Sequence, residues 1–224
     1  MTIQVKICGL TSAAAVDAVA RAGAAYAGFV HFPPSPRHLE VQALGRLVRE
    51  APAGLAKVLL TVDADDALLD AILEVAPLDI LQLQGGETPE RVAEVRARYG
   101  LPVMKAVGVR DAGDLAALDD HGRAADLLLV DAKPPPGGAL PGGNGLTFDW
   151  RLIAGRRWPV PWMLAGGLNA ANAAEAVRAT GARQLDVSSS VERAPGVKDP
   201  DLVRAFVEAV SAAEPSATSA APQA

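Results

Sequence analysis

Two side chains that can carry protons stand at the ends of apolar, strand-like runs. Cys8 ends the run 3–8, and Asp131 ends the run 126–131. Cys8 is the only cysteine of the chain, and the residue alone leaves two interpretations open: a small buried apolar group, or an acid–base or nucleophilic group. Asp131 either caps a loop or acts in the neutral, proton-donating form that burial favours.

Polar residues also alternate with apolar ones near the ends of other strand-like runs. Such side chains would face the interior of a sheet or barrel, where they need polar partners or a ligand. Three pairs share a face in this way: Lys6 and Cys8, Gln82 and Gln84, and Asp186 and Ser188.

Two turns in the last third of the chain predict a phosphate site. Gly166-Gly167 follows the run 160–165, and Ser188-Ser189 follows the run 184–188. Either turn alone is typical of a simple tight turn. Backbone N–H groups at two such turns on adjacent strands would together bind a phosphate group.

Arg37 lies on a proline-stiffened loop, 33–37, just after a strand-like run. Its guanidinium group could bind a carboxylate through two parallel hydrogen bonds. Exposure to solvent is the ordinary state of a loop arginine, and the residue by itself favours that alternative.

Apolar runs alternate with amphipathic stretches along the whole chain, which predicts a single-domain α/β protein, a (β/α)₈ or TIM barrel. Helix starts are marked at Ser12, at Thr88-Pro89 and at Asp199-Pro200. The predicted strands are 3–8, 26–32, 56–62, 79–84, 102–108, 126–131, 160–165 and 184–188, and the predicted helices are 12–22, 41–50, 66–76, 88–99, 111–120, 169–180 and 200–213, with a short one near 148–155.

The barrel explains how these residues could act together. The C-terminal ends of barrel strands carry the active site, and the phosphate position follows the seventh and eighth strands. The first and sixth strands would lie about 14 Å apart, so Cys8 and Asp131 would approach a small molecule from opposite sides. We predict that residues 1–213 form the barrel and that 214–224, rich in Ala, Ser and Pro, is a disordered tail. The Gly/Pro-rich loop 132–146 is long enough to be functional, and whether it closes over a ligand is open.

Composition narrows the partners. The net charge is −5 with no basic stripe, which argues against nucleic acid and requires local groups to hold an anion. The three histidines show no metal-ligand spacing, so no metal is expected. Neither a leader-like start nor a run long enough to span a bilayer is visible, so no membrane association and a cytoplasmic location are expected.

Seven segments in order resemble the phosphoribosylanthranilate isomerase family over residues 3–210. The most specific are Lys6-Ile7-Cys8-Gly9 and Ala165-Gly166-Gly167-Leu168-Asn169. The others are Gly28-Phe29-Val30, Ser35-Pro36-Arg37, Leu81-Gln82-Leu83-Gln84-Gly85, Leu129-Val130-Asp131 and Asp186-Val187-Ser188-Ser189.

This resemblance implies a (β/α)₈ enzyme of tryptophan biosynthesis. The implied reaction is an Amadori rearrangement of N-(5′-phosphoribosyl)anthranilate to 1-(2-carboxyphenylamino)-1-deoxyribulose 5-phosphate, without a cofactor. By resemblance, Asp131 is the general acid, Cys8 is the general base and Arg37 binds the anthranilate carboxylate. Asp186 and Gln84 lie on the substrate side, and the phosphate falls at Gly166, Gly167, Ser188 and Ser189. A thiol of ordinary pKa, about 8.5, can act as such a base, and Lys6 would raise its thiolate fraction.

Three residues depart from the family pattern. Gln84 stands where histidine is common, Ser190 where glycine is usual, and Asn144 where a small hydroxyl residue is usual. A side chain at Ser190 would strain the phosphate loop if that position needs a positive φ.

Two other functions remain open at this stage. Lys6 or Lys105 could be the Schiff-base lysine of a phosphosugar aldolase. A barrel that binds a phosphosugar without catalysis is the second alternative, although the presence of both Cys8 and Asp131 counts against it. Oligomeric state, monomer or homodimer, is not decided by the sequence.

Overall fold

The computed structural model describes residues 2–133, 142 and 145–213, and these residues form a closed barrel of eight parallel strands in chain order. The strands are β1 (Gln4–Cys8), β2 (Tyr26–His31), β3 (Ala56–Thr61), β4 (Ile80–Leu83), β5 (Val103–Val109), β6 (Leu127–Ala132), β7 (Trp162–Leu164) and β8 (Gln184–Val187). The helices around them are α1 (Ala13–Arg21), α2 (Val41–Glu50), α3 (Asp66–Val75), α4 (Pro89–Tyr99), α5 (Leu115–Ala124), α6 (Ala173–Thr180) and α7 (Pro200–Ala212). The predicted (β/α)₈ barrel is confirmed.

Local signals in the sequence explain where several helices begin. The Ser12 hydroxyl accepts a hydrogen bond from the Ala15 N–H, the Thr88 hydroxyl accepts one from Arg91, and the Asp199 carboxylate accepts two at the start of α7. These side chains satisfy N–H groups that have no partner inside the helix.

Three predicted helices differ from the structure. The segment expected as a helix at 111–120 is a 3₁₀ turn, Ala112–Asp114, followed by α5 at Leu115–Ala124. The helix expected near 148–155 is only a 3₁₀ turn, Trp150–Leu152. The helix expected from 169 begins at Ala173, because the Asn169 side chain accepts hydrogen bonds from the N–H groups of Ala171 and Asn172 and forms a local turn instead.

Apolar side chains occupy two regions of the fold. A large cluster fills the space between the strands and the helices. A smaller one lies inside the barrel and includes Val58, Met104, Leu129 and Met163. The polar residues at the strand ends continue the same inward-facing rows, so this smaller cluster forms the floor beneath them.

A short antiparallel hairpin follows β8 and was not predicted. Its strands are β9 (Glu192–Ala194) and β10 (Val197–Lys198), and it comes directly before α7. The predicted tail 214–224, Asn144 and most of the loop 132–146 lie outside the described residues. Within the described ranges, no helix has both the length and the hydropathy to cross a bilayer.

Candidate active site

The predicted site residues meet around one cavity at the C-terminal ends of the strands. One part of the cavity is open to solvent. Its lining consists of apolar side chains together with Cys8, Arg37, Gln82, Gln84, Asp131, Asp186 and Ser188. The adjoining part is lined by Asp131, Gly166, Gly167, Asp186, Ser188, Ser189 and Ser190. Since Asp131, Asp186 and Ser188 border both parts, one ligand could occupy both.

Cys8 lies at this cavity with 5% of its surface exposed. Burial raises the pKa of its thiol, Lys6 and Lys198 act in the opposite direction, and Asp186 adds to the rise. The predicted effect of Lys6 is therefore present, but burial outweighs it. The resting state is the neutral thiol, and the surrounding cations favour the thiolate when the proton leaves.

Lys6 is completely buried, and its ammonium group lies 3.0 Å from the Asp186 carboxylate. Burial works against the charged form, but Asp186 and Cys8 outweigh it and raise the pKa of Lys6. Asp186 is thus held by the protein itself on one oxygen, and it still lines the cavity with the rest of its carboxylate.

Asp131 is buried opposite Cys8, three strands away around the barrel. Burial, with the negative charge of Asp186, raises the pKa of its carboxyl to about 7. Its Oδ1 accepts a hydrogen bond from the Ala132 N–H at 2.8 Å, and its Oδ2 accepts a longer one, 3.4 Å, from Gln84. Oδ2 is therefore the oxygen better placed to hold a proton, and a pKa near neutrality suits a general acid.

Two glutamines, one in β4 and one directly after it, form a chain of hydrogen bonds that ends at Asp131. Gln82 Nε2 donates to Gln84 Oε1 at 2.6 Å, and Gln84 in turn donates to Asp131. Gln82 Oε1 is buried and has no hydrogen-bond partner in the described part of the chain. Gln82 lines the cavity, but Oε1 itself has almost no exposed surface.

The predicted phosphate turns lie side by side. Gly166 and Gly167 have φ values of +86° and +60°, and a Cβ at Gly167 would meet Thr147 at 2.5 Å. Only glycine fits this backbone, which opens it to a ligand. The Ser188 hydroxyl donates to the Cys8 carbonyl at 2.9 Å, so its proton is already used within the protein. Ser189 begins a 3₁₀ turn and borders the cavity.

Ser190 does not strain this region. Among the described non-glycine residues, Asp63 alone has a positive φ, so the condition for strain at Ser190 is not met. The Ser190 hydroxyl donates to the Leu168 carbonyl and thereby connects the two turns.

Arg37 is buried, which excludes the solvent-exposed alternative. Its Nε and Nη2 atoms donate to the two carboxylate oxygens of Glu192 at 2.8 and 2.9 Å. The Nε–Nη2 edge of the guanidinium group is therefore occupied, and a ligand carboxylate would have to bind the remaining edge, Nη1–Nη2.

Sequence reasoning missed Glu192 and Lys198 as members of the site, and it identified Gln82 only as an inward-facing polar residue. Glu192 falls in the segment that follows the second phosphate turn, and Pro195-Gly196 is a turn signal that could have predicted the hairpin. No motif in the sequence marked Lys198, although its partners Ser188 and Glu192 are only 10 and 6 residues away.

The described residues contain no group of three or more His, Cys, Asp or Glu side chains that could hold a metal ion. What the fold and the site define is a (β/α)₈-barrel enzyme with two ionisable side chains, Asp131 and Cys8, on opposite walls of one cavity and with glycine and serine turns beside them.

Comparisons with known proteins agree with this class. The family model of N-(5′-phosphoribosyl)anthranilate isomerase matches residues 5–209. The isomerase of Cereibacter sphaeroides is 66% identical over 206 residues, which are 92% of this chain and 97% of that protein. That of Paracoccus denitrificans is 59% identical over 95% of this chain and 99% of that protein.

Solved structures give the same result. A phosphoribosylanthranilate isomerase from Thermotoga maritima has a TM-score of 0.84 at 31% identity, covering 94% of this chain and 100% of that one. Another, solved with reduced 1-(o-carboxyphenylamino)-1-deoxyribulose 5-phosphate, has a TM-score of 0.81 at 30% identity, with the same coverage. The chain belongs to the N-(5′-phosphoribosyl)anthranilate isomerase family. The predicted family, the isomerase class and the role in tryptophan biosynthesis are confirmed.

Proposed function

We propose that this chain rearranges N-(5′-phosphoribosyl)anthranilate, with Asp131 as the general acid and Cys8 as the general base. Asp131 would first give its proton to the ring oxygen of the ribose, so that the C1′–O bond breaks and the nitrogen lone pair forms a protonated Schiff base. A carboxyl with a pKa of about 7 is substantially protonated at neutral pH and can supply this proton.

Cys8 would then remove the proton from C2′. The electron pair of that C–H bond moves toward the positively charged nitrogen and forms an enolamine, which becomes the ketone after the 2′-hydroxyl loses its proton and C1′ gains one. The substrate's own nitrogen accepts the electrons, so the sequence of steps is complete without a cofactor. Lys6 and Lys198 favour the thiolate of the base, whereas burial keeps the resting thiol neutral.

The two anionic ends of the substrate fit the two parts of the cavity. We assign the phosphate to the turns at Gly166-Gly167 and Ser188-Ser189, and the anthranilate carboxylate to the free edge of Arg37. Asp186 and Gln84 border the space between them. The relative solved with a carboxyphenylamino deoxyribulose phosphate supports a ligand with these two charged ends.

The aldolase alternative fits the structure poorly. Lys105 is buried and donates hydrogen bonds to Leu83 O, Gly85 O and Glu87 at 2.7 to 3.3 Å, which uses all three of its ammonium protons. Lys6 is held charged by Asp186. A Schiff base needs a neutral, accessible amine, and neither lysine offers one.

The convergence of Cys8 and Asp131 on one cavity carries this proposal. Its test is rescue of a tryptophan auxotroph that lacks the isomerase, together with an assay of the purified protein. We expect the wild-type chain to restore growth and Cys8→Ala to fail. Growth with Cys8→Ala at the wild-type rate would overturn the role of Cys8, and absence of rescue by soluble wild-type protein would overturn the activity.

The partner is proposed to be this small phosphorylated substrate, with no nucleic acid, no membrane and a cytoplasmic location. One Thermotoga maritima relative is described as a dimeric enzyme, which makes a homodimer one of the two states to test. Light scattering of the purified chain would distinguish a monomer from a homodimer.

A further inference from the structure

A buried cluster of three charges lies beside the active-site cavity, and the mechanism above does not use it as a unit. Glu192 accepts hydrogen bonds from Arg37 on both oxygens, and its Oε1 also accepts one from the Lys198 ammonium group at 2.6 Å. The three side chains are 1 to 8% exposed. We call Arg37, Glu192 and Lys198 the hairpin cluster, because two of them come from the β9–β10 hairpin.

Lys198 is held by more than the carboxylate. Its Nζ also donates to the Ser188 carbonyl at 3.0 Å and to the Ser188 hydroxyl at 3.3 Å, so all three ammonium protons have acceptors. Ser188 in turn donates to the Cys8 carbonyl. The cation is therefore fixed two hydrogen bonds away from the backbone of the proposed base.

The hairpin is held in place from the opposite side as well. Thr11 donates to the Gly196 carbonyl at 2.8 Å, and the Gly196 N–H donates to Glu192 at 3.2 Å. A Cβ at Gly196 would lie 2.4 Å from the Pro36 carbonyl oxygen, so the turn packs directly against the loop that carries Arg37. Lys198 is consequently fixed behind the cavity wall, against Ser188, and is not a mobile surface lysine.

The charges around Cys8 do not cancel. Lys6 and Asp186 form a one-to-one pair, whereas the hairpin cluster has two cations for one carboxylate. Asp131, the remaining ionisable group on the cavity wall, is half protonated near neutral pH. In a protein of net charge −5, this cluster supplies the local excess of positive charge at the anion-binding cavity.

We propose that Lys198 is a positioning residue of the isomerase: its fixed ammonium group supplies the excess positive charge that stabilises the Cys8 thiolate, and Glu192 sets the size of that charge by sharing one carboxylate between Lys198 and Arg37. The role of the thiolate as a base rests on the proposed function. The charge effect itself does not.

The titration behaviour of the cluster agrees with this assignment. Burial opposes the ionised form of Glu192, but Arg37 and Lys198 outweigh it and lower the pKa of the carboxyl. Burial lowers the pKa of Lys198 below its usual value, and Glu192 and Cys8 offset this effect only in part. The charged groups that act on the Cys8 thiol are Lys6 on its own strand, Asp186 on β8 and Lys198 on β10; Arg37 and, on the opposite wall, Asp131 line the same cavity.

The experiment titrates Cys8 directly, without substrate. Because the chain has one cysteine, the pH dependence of its alkylation by iodoacetamide reports that thiol alone. We expect Lys198→Met to move the midpoint upward by about one pH unit, or tenfold less thiolate at a given pH. Glu192→Gln, which removes the shared negative charge, is expected to move the midpoint downward.

The alkylation midpoints of Lys198→Met and Glu192→Gln are expected to move in opposite directions, and this distinguishes an electrostatic role from a purely structural one. Loss of packing alone would move both midpoints in the same direction or leave them unchanged, and either result would overturn the proposal. Lys198→Arg keeps the charge and should stay near wild type. Lys57→Met removes a partly exposed lysine that pairs with Asp79 and should not move the midpoint. If Lys198→Met does not fold, Glu192→Gln alone tests the proposal. A downward shift of its alkylation midpoint supports the proposal, and no shift overturns it.

Failure of this titration differs from failure of the proposed function. An inactive wild-type chain with the expected thiol shifts would leave the charge effect intact and overturn the catalytic assignment. An active wild-type chain whose variants show no shift of the thiol midpoint would leave the catalytic assignment intact and overturn the charge effect.

Discussion

The two walls of the cavity have opposite electrostatic character. Around Cys8, the wall formed by β1, β8 and the hairpin contains buried ion pairs in which cations outnumber carboxylates. Around Asp131, the neighbours are the uncharged amides of Gln82 and Gln84 above an apolar floor. We refer to these as the ionic wall and the amide wall.

The difference explains how one small cavity can hold both an acid and a base. On the ionic wall, cations counter the effect of burial and make loss of the thiol proton easier. On the amide wall, only hydrogen bonds and the more distant Lys6 oppose burial, and the carboxyl retains its proton up to about pH 7. A carboxyl that keeps its proton and a thiol whose deprotonation is favoured by nearby cations thereby face the same cavity.

Removing either proton carrier should have the largest effect. We expect Cys8→Ala and Asp131→Asn each to reduce turnover at least about a hundredfold, because general acid–base groups contribute about that much or more. Steady-state assays of the purified variants measure it. Asp126→Asn is the matched control, since Asp126 lies at the opposite end of β6 and bonds to Val103 N and Arg96. A loss below tenfold in both active-site variants would remove the acid–base assignment.

The amide wall should also reduce stability at high pH. The pKa of Asp131 rises from 3.8 to about 7 on folding, so the native state binds more protons than the unfolded state between these values, and stability falls as pH rises through that window. We expect Asp131→Asn to be more stable than wild type by about 2 kcal/mol at pH 8 and equal to it below pH 4. The full pKa change would correspond to about 4 kcal/mol, and solvent in the open cavity reduces that value. Urea unfolding at both pH values measures this difference. An equal gain in the free energy of unfolding at both pH values would show that ionisation of Asp131 is not its cause.

Gln84 should tune the acid. Its hydrogen bond favours the ionised carboxylate, so Gln84→Leu should raise the pKa of Asp131 further. We expect the alkaline limb of the kcat/KM profile to move upward by about half a pH unit, because the 3.4 Å bond is long. Gln184→Leu, at the other end of the barrel beside Tyr26, is the matched control and should leave the limb in place. A downward movement of the alkaline limb in Gln84→Leu would contradict the effect assigned to the hydrogen bond between Gln84 and Asp131.

The smallest effect is expected at Ser190. Because its φ is not positive, Ser190→Gly removes only the hydrogen bond to Leu168 between the two phosphate turns. KM should rise no more than about threefold, which corresponds to less than 1 kcal/mol. Kinetics with the phosphorylated substrate measure it, and a fall in KM would show that the serine does strain the phosphate site.

Much of this architecture could be predicted locally. The strand ends came from alternating polarity, and the starts of α1, α4 and α7 came from Ser12, Thr88 and Asp199, whose side chains cap nearby N–H groups. Such signals act within a few residues, so they are visible in a linear sequence. The late start of α6 shows their limit, because the competing turn at Asn169 is also local but was not recognised.

The sequence could also predict some features of the candidate site but not others. Cys8, Asp131, Asp186 and the two phosphate turns could be placed at strand ends, and the barrel then brought them to one cavity. The contact between the hairpin and Arg37 could not be predicted, since Arg37 and Glu192 are 155 residues apart. Nor could the unusual state of Asp131, because its pKa depends on burial and on the charge of a residue from another strand.

The sequence by itself thus determined the order of elements, the family and the residue types available for proton transfer. Those depend on residue identity, polarity period and short-range capping. Only the tertiary structure decided which cation lies beside the thiol, which face of Arg37 is occupied and which carboxyl keeps its proton. These properties follow from desolvation and from distances between residues far apart in the chain, and folding alone sets both.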